Sequence, residues 1–163
     1  MLRTGALSAV IVVVFLFIVS LFAGSLPFSI GGPSSSEGGA RVGDHWHARY
    51  EVSVCGDILP PFPESSGAIH SHGDGDGQIH NHPGRSSEAG PNANLGRFFD
   101  SVGGKLTDTI LSLPLARTYT NGDQCPDGQP GRLSATVNGV EVAEPSLYIV
   151  RDEDVILISF SGP

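Results

Sequence analysis

All six histidines of the 163-residue chain fall into three His-x-His pairs: His45-Trp-His47, His70-Ser-His72 and His80-Asn-His82. None lies outside residues 45–82. In an extended strand, residues i and i+2 project to the same side about 7 Å apart. Two imidazoles held that way converge on one ion at about 2.0–2.1 Å each. The spacing is metal-ligand chemistry written in strand form. Glu51, on the histidine side of the first strand, and Asp74 and Asp76, beside the second pair, are additional candidate ligands. Imidazole suits Zn, Cu, Ni and Fe. Met1 is the sole methionine, which disfavours a thioether site for Cu(I) and leaves Zn²⁺ or Cu²⁺. Calcium is a weaker reading. His72-Gly-Asp74-Gly-Asp76-Gly77-Gln78-Ile79 copies the middle of an EF-hand loop, but His72 and Pro83 stand where that loop has Asp and Glu. A pH sensor would also use histidines, though it does not need them paired.

The elements that must hold these pairs read as β-strands. From Asp44 to Cys55 the chain alternates, with Trp46, Ala48, Tyr50, Val52 and Val54 on a core face and His45, His47, Arg49, Glu51 and Ser53 opposite. Ile69 to His82 reads as a hairpin with a three-residue turn at Gly75-Asp76-Gly77. That register would set His72 against His80 and His70 against His82, all four on one face, with Ile69 and Ile79 behind them. Asn92 or Asn94 caps a short helix carrying Leu95, Phe98, Phe99 and Val102, ended by Gly103-Gly104. Leu106 to Leu113 is a strand stopped by Pro114, and Leu115 to Pro130 is a loop. Asn138-Gly139 joins Arg132–Val137 to Val140–Ala143 in a hairpin. Leu147–Val150 and Val155–Phe160 flank Asp152-Glu-Asp154 as a last hairpin.

The rest of the chain specifies a compartment. Residues 7–28 carry no charge, long enough for a helix across the bilayer core, which takes about 20 residues. A cleaved signal peptide ending near Ala23-Gly-Ser25 is the competing reading, and it would give a secreted domain. Both readings export the remainder of the chain, and Arg3 favours an inside N-terminus. Residues 1–28 are thus a single-pass anchor in membrane lipid, 29–43 a flexible Gly/Ser/Pro linker, and 44–163 one extracytoplasmic domain. In an exported chain the two cysteines read as one disulfide, Cys55–Cys125. With Arg3 set aside, the chain carries 8 basic and 17 acidic groups, a net of −9, and it has one lysine. That balance excludes nucleic acid as a partner, because phosphate binding needs clustered cations.

The chain resembles a group of uncharacterised membrane-anchored bacterial proteins with distant archaeal relatives. The residues that carry the likeness are His45-Trp-His-Ala48, Cys55-Gly56, Ile69-His-Ser-His-Gly-Asp-Gly75, Ile79-His-Asn-His-Pro83 and Leu95-Gly-Arg-Phe-Phe99. They span most of residues 44–160. The group has no assigned activity, so the resemblance implies membership alone. Gly39-x5-His45-x-His47-x3-Glu51 is similar to the first half of a cupin metal motif, with Ile58 where that motif has Gly. Val137-Asn-Gly-Val-Glu-Val142 and Asp152-Glu-Asp-Val-Ile-Leu-Ile158 resemble the closing strands of β-grasp domains, which implies architecture and not activity.

The sequence therefore predicts an α+β, mostly β protein: an N-terminal transmembrane helix and one small, β-grasp-like extracytoplasmic domain. That domain would bind a divalent transition metal, Zn or Cu, through His45, His47, His70, His72, His80 and His82, for storage, sensing or delivery. Two alternatives stand beside it. One is a metal-dependent enzyme of cupin-like type, which would need an open coordination position and a general base such as Glu51, Asp74 or Asp76. The other is an envelope interaction protein with a histidine pH switch. No catalytic residue, organic cofactor or protein partner is assigned.

Overall fold

The longest strand, β1 (Trp46–Val54), keeps the alternation of its sequence: Ala48, Tyr50, Val52 and Val54 are buried, Arg49 and Glu51 exposed. Trp46, at its start, is partly buried. The computed structural model describes residues 38–163 apart from 74. The expected anchor and most of the expected linker lie outside the described residues. Among the described residues no helix is long and apolar enough to cross a membrane.

Cys55 and Gly56, both at positive φ, turn the chain from β1 into the short β2 (Asp57–Ile58). Then come β3 (Ile69–His70), β4 (Gln78–Asn81) and the α-helix Leu95–Ser101. The Asn94 side chain accepts from the Arg97 amide at 2.9 Å, so Asn94 is the expected cap. Gly103, at φ +79°, ends the helical turn as expected. The later strands are β5 (Lys105–Leu106), β6 (Ile110–Ser112), β7 (Thr118–Thr120), β8 (Arg132–Val137), β9 (Val140–Glu141) and β10 (Val155–Ser161).

The main sheet has the order β3-β4-β1-β10-β8-β9, with β2 also paired to β1, and a smaller sheet runs β5-β6-β7. In the main sheet β1 and β10 are parallel neighbours and the other pairs are antiparallel. One face carries the core: Tyr50, Val52, Ile156, Ile158, Phe160, Leu133 and Ala135 pack with Leu95, Phe98 and Phe99 of the helix. Tyr50, Phe62 and Phe98 meet ring to ring at 5.1–6.0 Å between centroids. Cys55 and Cys125 form the expected disulfide across a separation of 70 residues.

Four local expectations are corrected. The segment 106–113 is a hairpin and not one strand. The Thr107 hydroxyl accepts from the amides of Thr109 and Ile110 and bends the chain there. Thr118–Thr120, expected in a loop, supplies the third strand of that small sheet.

Leu147–Val150 does not pair with β10. It runs beside residues 93–95, with Leu95 donating to the Tyr148 carbonyl and Val150 to the Ala93 carbonyl. The β10 strand has both its edges taken, by β1 and by β8.

The histidine hairpin has a different register. Ile69 faces Asn81 and His70 faces His80, a slip of two residues from the expected pairing. Side chains alternate with period two, so this slip preserves every face. Its cause is Ser71, which leaves β3 for the segment 62–65. Its amide donates to the Ser65 hydroxyl, its hydroxyl to the Phe62 carbonyl, and its carbonyl accepts from the Ser65 amide. Gly73 is needed for that departure. It sits at φ +72°, and a Cβ there would lie 2.3 Å from the Glu64 amide nitrogen. The connection consequently spans residues 71–77 instead of three.

Candidate metal centre

Three adjacent strands, β3, β4 and β1, bring the three pairs together. Their registers set His70 opposite His80 and His80 opposite His47, one row across the sheet. Just beyond the strand ends, His45 and His82 face each other with ring centroids 3.8 Å apart. All these side chains lie on the face opposite the core, as the alternation of β1 and β4 requires.

Four of the six form a tight group. One ligand nitrogen from each of His45, His47, His80 and His82 lies within 4.8 Å of the others, close enough to hold a metal ion. The Nε2 atoms of His45 and His47 are 3.0 Å apart. Two nitrogens on one ion at about 2.0–2.1 Å, at tetrahedral or right-angle geometry, stand about 2.9–3.4 Å apart. That one pair therefore already stands at the separation of two ligands on a common ion.

The hydrogen-bond inventory points the same way. His80 is buried, and its Nε2 meets Asp76 Oδ2 at 3.0 Å. With Nε2–H turned to the carboxylate, Nδ1 is left as a bare lone pair, and it is buried with no partner. His82 Nε2 is likewise buried without a partner. An acceptor kept from water with nothing to accept from is costly, on the order of 1–3 kcal/mol. A cation supplies what these lone pairs lack. A ligand histidine braced by a carboxylate is also the usual second layer of a metal site.

Burial and neighbouring imidazoles disfavour the charged form of His47, His70 and His82, and the neutral ring is the form of imidazole that binds metal. Burial lowers the pKa of His82 to about 4, helped by His45, His70, His80 and His47 around it. Burial and then His80 and His45 lower His47, against a smaller upward pull from Asp152 and Asp76. Burial, His72 and His80 lower His70. For Asp76 burial alone would raise the pKa, but the Gln78 amide and the rings of His80 and His72 together hold the carboxyl below its usual range.

The remaining expected ligands divide. His70 and His72 stand beside the four and not among them, with their Nε2 atoms 3.1 Å apart. Asp76 reaches His80. Glu51 is exposed on β1, four residues from His47, or about 13 Å along the strand. Asp74 lies outside the described residues.

One contributor was not singled out from sequence. Asp152 Oδ1 accepts from the His47 amide at 2.9 Å, and the Glu153 amide donates to the His47 carbonyl. The turn before β10 thus fixes the backbone under a ligand. Its acidic run, Asp152-Glu-Asp154, was the available signal, but a turn of that composition is ordinary at a surface. No family model matches the chain, and neither a curated protein nor a solved structure matches it. What the fold and site define is a small, mostly β, disulfide-linked domain with a four-histidine cluster compatible with metal binding.

Proposed function

We propose that this protein binds a divalent transition metal, Zn²⁺ or Cu²⁺, on an exported domain tethered to the membrane by residues 1–28, for storage, sensing or delivery of the ion. The observation that carries the reading is the quartet His45, His47, His80 and His82, in which His80 Nδ1 and His82 Nε2 are buried without partners. A set made only of imidazoles suits borderline cations and offers little to calcium, which takes oxygen ligands.

Four supports attach to the wider reading. The disulfide fits an oxidising compartment. The uncharged run 7–28 fits an anchor, with the domain outside the cell membrane. The sheet order, in which the first and last long strands lie parallel at the centre, is the arrangement that the β-grasp resemblance implies. The motifs shared with the membrane-anchored bacterial group include both arms of the quartet.

The test is metal analysis of the full-length chain purified in detergent, with calorimetric titration of Zn²⁺ and Cu²⁺ after chelation. One tightly held ion per chain is expected, lost when His47 and His82 are both replaced by Ala. A wild-type chain that takes up neither ion stoichiometrically would overturn the reading.

A further inference from the structure

The quartet leaves His70 and His72 unused. We infer that these two form a second, outer ion site that loads the quartet; the inference rests on the metal-binding reading above. Their Nε2 atoms stand 3.1 Å apart, the separation expected for two ligands on one ion. His70 belongs to β3, the edge strand of the main sheet, and His72 comes just after it on an exposed stretch.

The two sites differ in the number of ligands they offer. With two protein nitrogens, an ion on His70 and His72 keeps water in its other positions, so it binds weakly and exchanges fast. The quartet offers four nitrogens, and His80 within it is buried. A weak, fast-exchanging pair beside a four-nitrogen set is the order that delivery requires.

The two sites adjoin. The His72 ring lies flat against the His80 ring, 3.7 Å between centroids and 8° between planes. His70 stands 5.4 Å from His82 and 5.7 Å from His80 by ring centroids. Asp76 serves both. Its carboxylate bonds His80 directly and interacts electrostatically with His72. A negative charge at that seam attracts a cation to the outer pair and then braces the ligand that receives it. Two dications this close repel, so filling the outer site while the inner one is full weakens the second ion further.

The experiment uses the full-length chain and Cu²⁺ alone, followed by calorimetry, electron paramagnetic resonance and stopped-flow absorbance. Two ions per chain are expected, the second at least tenfold weaker, with a dipolar signal when both are bound. In H70A/H72A the weaker ion should vanish. The tight ion should keep its four-nitrogen signature while its loading slows at least tenfold. The single exposed-site variant His72→Gln should slow loading in the same direction, and it serves if the double variant fails to fold. One ion per chain in the wild type, a second ion that survives in H70A/H72A, or unchanged loading would each overturn the outer site and leave the quartet standing. A wild-type chain that binds no copper would remove the quartet itself, and the outer site with it.

Discussion

Two polar clusters sit at opposite ends of the same short turn, residues 151–154, and they are built in opposite ways. At one end Asp154, 4% exposed, is fully partnered. Its Oδ1 accepts from the Asn138 side chain, and its Oδ2 accepts from the Tyr148 hydroxyl and the Arg151 amide. The Asn138 oxygen in turn accepts from the Val155 amide. Burial and the adjacent carboxylate push the Tyr148 hydroxyl far above its usual pKa, so it stays a donor. At the other end Asp152 fixes His47, and beyond it the imidazoles of His80 and His82 keep buried nitrogens without partners. A closed network of this kind holds a fold together. A network left open on its acceptors is poised for something the chain does not itself contain. The contrast sets a fully partnered carboxylate apart from a histidine cluster compatible with metal binding.

That contrast can be broken by mutation. The largest effect belongs to H47A/H82A, which should weaken Zn²⁺ or Cu²⁺ binding by at least about a thousandfold, roughly 4 kcal/mol. Its metal-free stability should fall by no more than about 1 kcal/mol, since the side-chain hydrogen bond it breaks, between His45 Nε2 and His47 Nε2, is exposed. Calorimetric titration and scanning on the same samples check both halves; a large loss of metal-free stability would assign the quartet a structural role. Next, Asp154→Ala should do the reverse. It strands the Tyr148 hydroxyl, the Asn138 amide and the Arg151 amide, and should cost about 3 kcal/mol in a urea titration. Metal stoichiometry should stay unchanged at temperatures where the variant is folded.

A smaller effect is set by pH. The folded-state pKa of His82, about 4, lies below the 6.5 of an unperturbed histidine, so the unfolded chain takes up the proton first. The stability contributed by the neutral ring is complete above about pH 6.5 and drains away as pH falls towards 4. His47 and His70, also lowered, act in the same sense. Urea midpoints of the chelated protein at pH 7, 5.5 and 4.5 should therefore decline in that order, and bound metal should steepen the decline because protons then compete with the ion. Flat midpoints across this range would mean the cluster is more solvated than its geometry indicates. The smallest change is expected from Asp76→Asn. It keeps the shape but removes the charge behind His80, and affinity should drop about tenfold. An unchanged affinity would detach Asp76 from the site.

Much of this domain was legible in residue order because much of it is local. The alternation of 44–55, the Asn94 cap with its Leu95, Phe98 and Phe99 stripe, and the Asn138-Gly139 hairpin each arise from interactions within a few residues. Even the histidine hairpin, whose register differs from expectation, kept its histidine face, because a two-residue slip cannot change sides. One error, the bend at Thr107, is local, and two others fell where distant segments compete for the same backbone. Ser71 is drawn away by Phe62 and Ser65, and Leu147–Val150 by residues 93–95. Nothing near those segments announces such partners.

The sequence by itself determined that each His-x-His pair shares one side of its segment, since strand periodicity sends i and i+2 the same way, and that all six share a face if the two segments are sheet neighbours. It also determined the cysteine pairing, there being two cysteines in a chain read as exported. Only the tertiary structure decided that four histidines make one cluster while His70 and His72 stand aside. That division depends on cross-strand register, on the parallel docking of β10 beside β1, and on the turn that holds His47. All three are contacts between residues far apart in the chain, and their free energy resides in the assembled sheet.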